Sequence, residues 1–343
     1  MLPYAIATSD FAPTITLAQA RELPEFQSGG RSGFFTDNVW DFWFNGSRTS
    51  LRIPSALIPP LAYLGLLFPF ATRKNKAQNL QNSQQLQIQP QIRLLSQLAI
   101  VSLVMFLIAH SLLFALHLPS RYTQNSIRII IILLASIVLT FTWEFLLNRI
   151  IQRNLVKKLI YRFLALLLAV VLIFYPHTQK RFVWTNYVTG NQVGLYEFLQ
   201  QQPKDSLIAS LTAETDNLPT FAQRSILVSR EYAIPYHWGY YKPFRQRASD
   251  LITAQYSPDL EVVKSFINKY GVTHFLIENS SFTPDYLAKN KWIRQHERAT
   301  EGAIANLATQ NLAAIAKVKD ICSNFEDGNY IVIDSQCILK TAR

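Results

Sequence analysis

Carboxylates are scarce where apolar residues are dense. Between Ile53 and Tyr175 the chain carries one acid, Glu144, against eleven Lys and Arg. Cysteine is limited to Cys322 and Cys337, so neither a cysteine-built metal centre nor a disulfide-dense miniature fold is in prospect. His237, His274 and His296 lack ligand spacing, so no metal site is read; any cofactor stays unknown. There is no G-x-S-x-G, no phosphate-binding P-loop and no Rossmann glycine pattern. The motif-based routes to a serine hydrolase, a P-loop NTPase and a dinucleotide enzyme are thereby removed.

What the chain has is long apolar runs. Three follow one another, at 94–118, 127–147 and 159–175, and a fourth lies upstream at 53–71. About 20 mostly apolar residues suffice to cross about 30 Å of hydrocarbon at 1.5 Å per residue. The second and third runs, around IRIIIILLASIVLTF and LIYRFLALLLAVVLIF, are apolar on every face, whereas a surface helix of a soluble domain keeps a polar stripe. Pro54, Pro59, Pro60 and Pro69 make the upstream run a kinked span.

The net charge of +11 would suggest nucleic acid if it lay on a folded surface. It does not: the net charge is −1 over residues 1–52, +10 over 53–175 and +2 over 176–343. The basicity belongs to membrane loops, so nucleic acid is not expected as a partner. Arg73, Lys74, Lys76 and Arg93 mark one cytoplasmic loop, and Arg149, Arg153, Lys157 and Lys158 another. The expectation is a multi-pass protein of the plasma (inner) membrane: a membrane α-helical region of four spans followed by a small soluble α/β domain. Residues 1–52 would form an external loop with interfacial aromatics, 53–175 the four-helix transmembrane region, and 176–343 a non-cytoplasmic α/β domain.

The start, MLPYAIATSDFAPTITL, has neither a basic stretch nor a continuous apolar core, so it does not read as a signal peptide. Such a tail ahead of a first span is simplest as an external loop of a longer membrane protein, of which this is the C-terminal part; the alternative is a genuine N-out protein. Trp40, Phe42, Trp43 and Phe44 suit a membrane interface. With Asp37, Asp41 and Arg31 nearby, they form either a plain interfacial belt or part of an external site. Residues 75–91, rich in Gln and Asn, read as a flexible cytoplasmic linker.

Arg121 and Tyr122 sit at the outer end of a span, where the positive-inside bias gives no reason for an Arg, and Arg128 follows two turns later. A guanidinium beside a phenol suits a lipid phosphate; ordinary headgroup snorkelling is the plainer explanation. Beyond residue 176 the composition is that of a soluble domain. Helices are expected at 194–202 and 260–270, the latter ended by Gly271, and strands at 206–210, 226–229, 274–278 and 330–334. Alternation of this kind implies an α/β layer domain. Cys322 and Cys337 bracket the Asp327-Gly328 turn, so as cross-strand neighbours they are a candidate disulfide. The run YAIPYHWGYY at 232–241 is either core packing or a stacking surface for a sugar.

Several motifs together resemble the end of the polytopic GT-C glycosyltransferases of bacteria, in particular those of cyanobacterial type. They are Pro119-Ser120-Arg121-Tyr122-Thr123 in the outer loop, the helix ending at Gln202 before Pro203-Lys204-Asp205, and Tyr270-Gly271-Val272-Thr273-His274-Phe275-Leu276-Ile277. The resemblance implies a hexosyltransferase that takes a sugar from a polyprenyl-phosphate donor on the non-cytoplasmic face. Arg121 and Tyr122 would then contact the lipid phosphate. Such enzymes place a catalytic acid in their first external loop, a part this chain lacks. Asp37 and Asp41 precede a late span and do not inherit that role, so the catalytic residue stays unassigned and the polypeptide would be incomplete as an enzyme. The alternative is a non-catalytic membrane-anchored protein with an external binding or scaffolding domain.

Overall fold

A computed structural model describes residues 13–52, 60–69, 89–116, 118–152, 155–178, 188–308 and 312–341. The chain divides into two compact units, one of residues Thr36–Val188 and the other of Met1–Phe35 together with Thr189–Arg343. The expected external loop of residues 1–52 is therefore split between them. Its described residues up to Phe35 belong to the α/β unit and those from Thr36 to the membrane unit.

The N-terminal segment opens with helix α1 (Leu17–Glu22), whose Thr16 and Gln19 close a capping box. In the membrane unit, α2 (Gln89–Ser111), α3 (Ser120–Gln152) and α4 (Leu155–Thr178) follow. All three are long and apolar enough to cross a membrane. Exposed Ile100, Leu107, Phe163, Leu166 and Ile173 would make an intolerable apolar surface in water and an ordinary one in lipid. At 33 residues, α3 is about 50 Å long, well beyond the hydrocarbon thickness, so its polar first turns and its last turn emerge at the headgroups.

The expected upstream span, 53–71, lies partly outside the described residues, as does most of the linker at 75–91. What is described of that span is a 3₁₀ helix, Pro60–Leu67, so four spans are an expectation, and among the described residues three helices are long and apolar enough to cross a membrane. This 3₁₀ segment packs tightly on α3. A Cβ on Gly65 would lie 2.4 Å from the Ile131 carbonyl oxygen, the close backbone approach that small residues permit between membrane helices. The Leu61 N–H donates to Tyr175 Oη of α4 at 3.3 Å.

The α/β unit is a five-stranded mixed sheet in the order β2-β1-β3-β5-β4. Its elements in chain order are α5 (Val193–Gln201), β1 (Leu207–Ser210), β2 (Ser225–Ile226), α6 (Trp238–Tyr256), α7 (Leu260–Tyr270), β3 (His274–Glu278), α8 (Pro284–Lys289), α9 (Glu297–Ala308), α10 (Ala314–Cys322), β4 (Ser323–Asp327), β5 (Tyr330–Asp334) and α11 (Ser335–Lys340). β2, β1 and β3 are parallel; β5 and β4 run antiparallel. Alternate strand residues feed two cores: Ala209, Phe275, Ile277, Ile331 and Ile333 pack under α6, α7 and α10, while Ile208, Leu276 and Val332 pack under α5. Burial on both faces is why these strands read as unbroken apolar runs.

Residues 13–35 are built into this unit as a strap. Thr14 bridges His237 in antiparallel fashion, and the Ile15 N–H donates to the Tyr236 carbonyl at 3.0 Å. Ile15, Ala20, Phe26 and Phe34 are buried, and Phe26 meets Tyr236 edge-on with ring centroids 5.4 Å apart. The Glu25 carboxylate is fully buried; its Oε1 accepts from Tyr241 Oη at 2.8 Å and pairs with Arg245 Nε at 2.7 Å. Burial, then the Glu25 charge, push the Tyr241 phenol far above its ordinary pKa, so it stays a donor.

Nearby, His296 is buried with Nδ1 3.2 Å from Ser249 Oγ. Burial, then the Arg245 charge, lower its pKa to about 3, against about 6.5 in the unfolded chain. Above pH 6.5 both states are neutral. Below it only the unfolded chain takes up the proton, so stability is expected to fall from pH 6.5 towards 3 by about 1.4 kcal/mol per unit from this group. Thermal melts between pH 7 and 5 check this: His296→Gln should show a shallower decline than the parent.

Candidate functional site

Of the sequence-predicted residues, Arg121 and Tyr122 sit at the start of α3. The turn is held from two sides. The Ser120 N–H donates to the Arg48 carbonyl at 3.1 Å and Ser120 Oγ to the Ser47 carbonyl at 3.0 Å. Tyr122 Oη donates to the Leu116 carbonyl at 2.8 Å, and Ser102 Oγ of α2 bonds the Tyr122 carbonyl. The Tyr122 hydroxyl therefore has a structural acceptor.

The segment before the upstream span is equally constrained. Thr49 Oγ1 donates to the Phe42 carbonyl at 2.7 Å, Ser50 Oγ to the Gly46 carbonyl at 2.6 Å, and the Arg52 N–H to Ser50 Oγ at 3.1 Å. These bonds hold Arg52 in the left-handed region, with φ 57°, a conformation unusual for a side-chain-bearing residue and frequent at functional sites. The Arg52 guanidinium is partly buried and lies within the fields of Arg128 and Arg121. Desolvation, then Arg128, then Arg121 lower its pKa. Arg121 and Arg128 are seven residues apart, hence on one face of α3. Arg52 thus lies within the electrostatic reach of Arg121 and Arg128 at the polar end of this helix, whose first N–H groups are already taken by the Arg48, Leu118 and Pro119 carbonyls.

The residues of the other predicted site are divided between the two units. Arg31 belongs to the α/β unit, where Nε donates to the Arg230 carbonyl at 2.8 Å and Nη2 pairs with Glu231 at 3.0 Å. Asp37 and Asp41 belong to the membrane unit. Asp41 opens a single π-helical turn, Asp41–Asn45, and accepts from Asn45 Nδ2 at 3.0 Å. The aromatics of that turn pack on α2: Trp43 stacks on the His110 ring at 5.0 Å and Phe42 meets it at 5.7 Å. They are an anchor on the first apolar helix, while Trp40 remains exposed.

Cys322 and Cys337 are joined in a disulfide with Cα atoms 5.4 Å apart. The geometry differs from a cross-strand pair. Cys322 ends α10 just before β4 and Cys337 lies in α11 just after β5, so the bond ties together the helices flanking the hairpin. In the aromatic run, Tyr236 and Tyr241 are buried and Trp238 and Tyr240 pack against the core, while Tyr232 is exposed. Among the described residues no group of His, Cys, Asp or Glu is arranged to hold a metal ion.

Sequence reasoning missed Arg52 and Glu25. Arg52 has no local signal, because its role depends on a backbone conformation and on residues some 70 positions away in α3. The comparisons with known proteins add no candidate. Neither the known protein families nor the curated proteins include a match to this chain.

Proposed function

We propose that this is a polytopic membrane protein that handles a polyprenyl-phosphate-linked sugar, in the manner of the GT-C glycosyltransferases its motifs resemble. The observation that carries the reading is Arg52, held at φ 57° and within the electrostatic reach of Arg121 and Arg128 at the start of α3. Drawing like charges together is unfavourable in a partly desolvated setting. A phosphate offsets that, since its oxygens take bidentate, charge-assisted bonds from guanidinium groups. The position at the headgroup end of a long apolar helix matches a phosphate carried on a lipid.

The reading includes four spans with the α/β domain on the non-cytoplasmic side. Parity supports it: residues 13–35 and the chain after 189 fold into one unit, so both ends of the intervening segment must leave the membrane on the same face. Three crossings do not satisfy that; in this reading 53–71 supplies a fourth. The disulfide also suits an oxidising compartment. The alternative, a membrane-anchored binding protein without transfer chemistry, uses the same phosphate site and is separated from the first reading by an assay for sugar transfer.

The test is binding of undecaprenyl phosphate to the full chain in phosphatidylcholine nanodiscs. Arg52→Ala and Arg128→Ala are each expected to weaken it at least about tenfold, the size of one strong charge-assisted contact, and Arg121→Ala by a similar factor. Affinity unchanged in all three variants would reduce the cluster to headgroup contacts and remove the support for the reading.

A further inference from the structure

A second polar site lies wholly within the α/β unit. One wall of the cleft comes from the strap, with Arg21 and the turn at 27–30. The other comes from the stretch before and into α9, with Lys291, Arg294 and Gln295. The cleft is open to solvent and offers about 640 Å³, within the range of small-molecule sites. Gly30 is required by the wall itself, since a Cβ there would lie 2.4 Å from the Pro24 carbonyl oxygen.

Its charges are arranged in an unusual way. Arg21, Lys291 and Arg294 face the cleft with Glu22 and Glu297, yet none of the five forms an ion pair among the described residues. Arg21 lies over the Phe35 ring at 6.0 Å, and the oppositely charged groups around the cleft stay apart, available to something that enters. Beneath them Gln295 is 5% exposed; its Nε2 donates to the Lys291 carbonyl at 3.2 Å, while its Oε1 has no hydrogen-bond partner among the described residues. An acceptor buried in that way is stabilised by a donor from outside, such as a hydroxyl. Pro24 is the sole apolar side chain on the walls, so neither an acyl chain nor a stacked base finds a surface.

We infer that this cleft binds a small hydroxylated anion of the class of a sugar phosphate or a uronate. The cations take the phosphate or carboxylate, and Gln295 Oε1 with the two carboxylates accepts hydroxyls. This site is separate from the arginine cluster and does not depend on the lipid reading.

The test uses the full chain in phosphatidylcholine nanodiscs, titrated calorimetrically with glucose 1-phosphate, glucuronate, glucose and inorganic phosphate. Saturable binding is expected for at least one of the two sugar anions, at least about tenfold tighter than for glucose or inorganic phosphate. Arg294→Ala and Lys291→Ala should each weaken it about tenfold, whereas Lys317→Ala, at an exposed position of α10 outside the cleft, should leave it unchanged. Among the described residues the Arg294 and Lys291 side chains make no hydrogen bond or ion pair, so melting temperature is expected to hold in both variants. The inference is overturned by no binding of either sugar anion, by inorganic phosphate or glucose binding equally well, or by undiminished binding in the two cleft variants.

Discussion

Replacing Arg245 by alanine is expected to destabilise the α/β unit by about 4 kcal/mol, and replacing Glu25 by alanine by less, about 2–3 kcal/mol. The order follows from what each change leaves behind. Without Arg245 the Glu25 carboxylate stays fully buried, with Tyr241 as its remaining donor. An uncompensated buried charge is among the most destabilising single defects. Without Glu25 the surviving guanidinium is already 32% exposed and can turn to water, so the loss is that of the Tyr241 acceptor and of packing. In a unit of this size each kcal/mol moves the melting temperature by about 2–4 °C. Thermal melts should therefore separate Arg245→Ala from Glu25→Ala by several degrees. The reverse order would mean that the strap is not held by this pair.

The second large effect concerns the disulfide. Cys322 and Cys337 are 15 residues apart, and closing a loop of that length contributes about 3 kcal/mol in the chain-entropy account. Cys322→Ala/Cys337→Ala, or the parent under reductant, is expected to melt about 6–12 °C lower. The same pair reports on compartment: alkylation of protein taken directly from cells should label neither cysteine until a reductant is added. Ready labelling without reductant would place the domain in a reducing compartment and count against the non-cytoplasmic assignment.

The parts of the fold that could be read from sequence are those whose signals are local. The helix expected at 260–270 appears with those bounds because both ends are coded nearby: Asp259 accepts from the Glu261 N–H, and Gly271 adopts φ 67°. β3 and β5 likewise match, being apolar runs buried on both faces. β4 escaped notice because its SNFED sequence lies on a half-exposed edge, where no apolar alternation is required. The strand expected at 226–229 shrinks to two residues. α6 was hidden by Pro243 and by aromatics that read as a patch instead of a helix face. The strap was illegible for a different reason. Glu25 finds its partners more than 200 residues away, and nothing near it announces a burial site. Arg121 was visible as a misplaced cation, but the convergence with Arg52 requires the folded backbone.

The strap also sets the order in which the protein can be made. Ile15, Phe26 and Phe34 are synthesised first, yet the surface that covers them is translated only after the entire segment Thr36–Val188. At translation rates of roughly 5–20 residues per second, that interval is on the order of 10–30 s. During it the early apolar side chains wait beside the nascent helices with no socket to enter. The α/β unit thus closes late, and a ribosome that stalls before α6 leaves an open hydrophobic end for quality-control factors to seize.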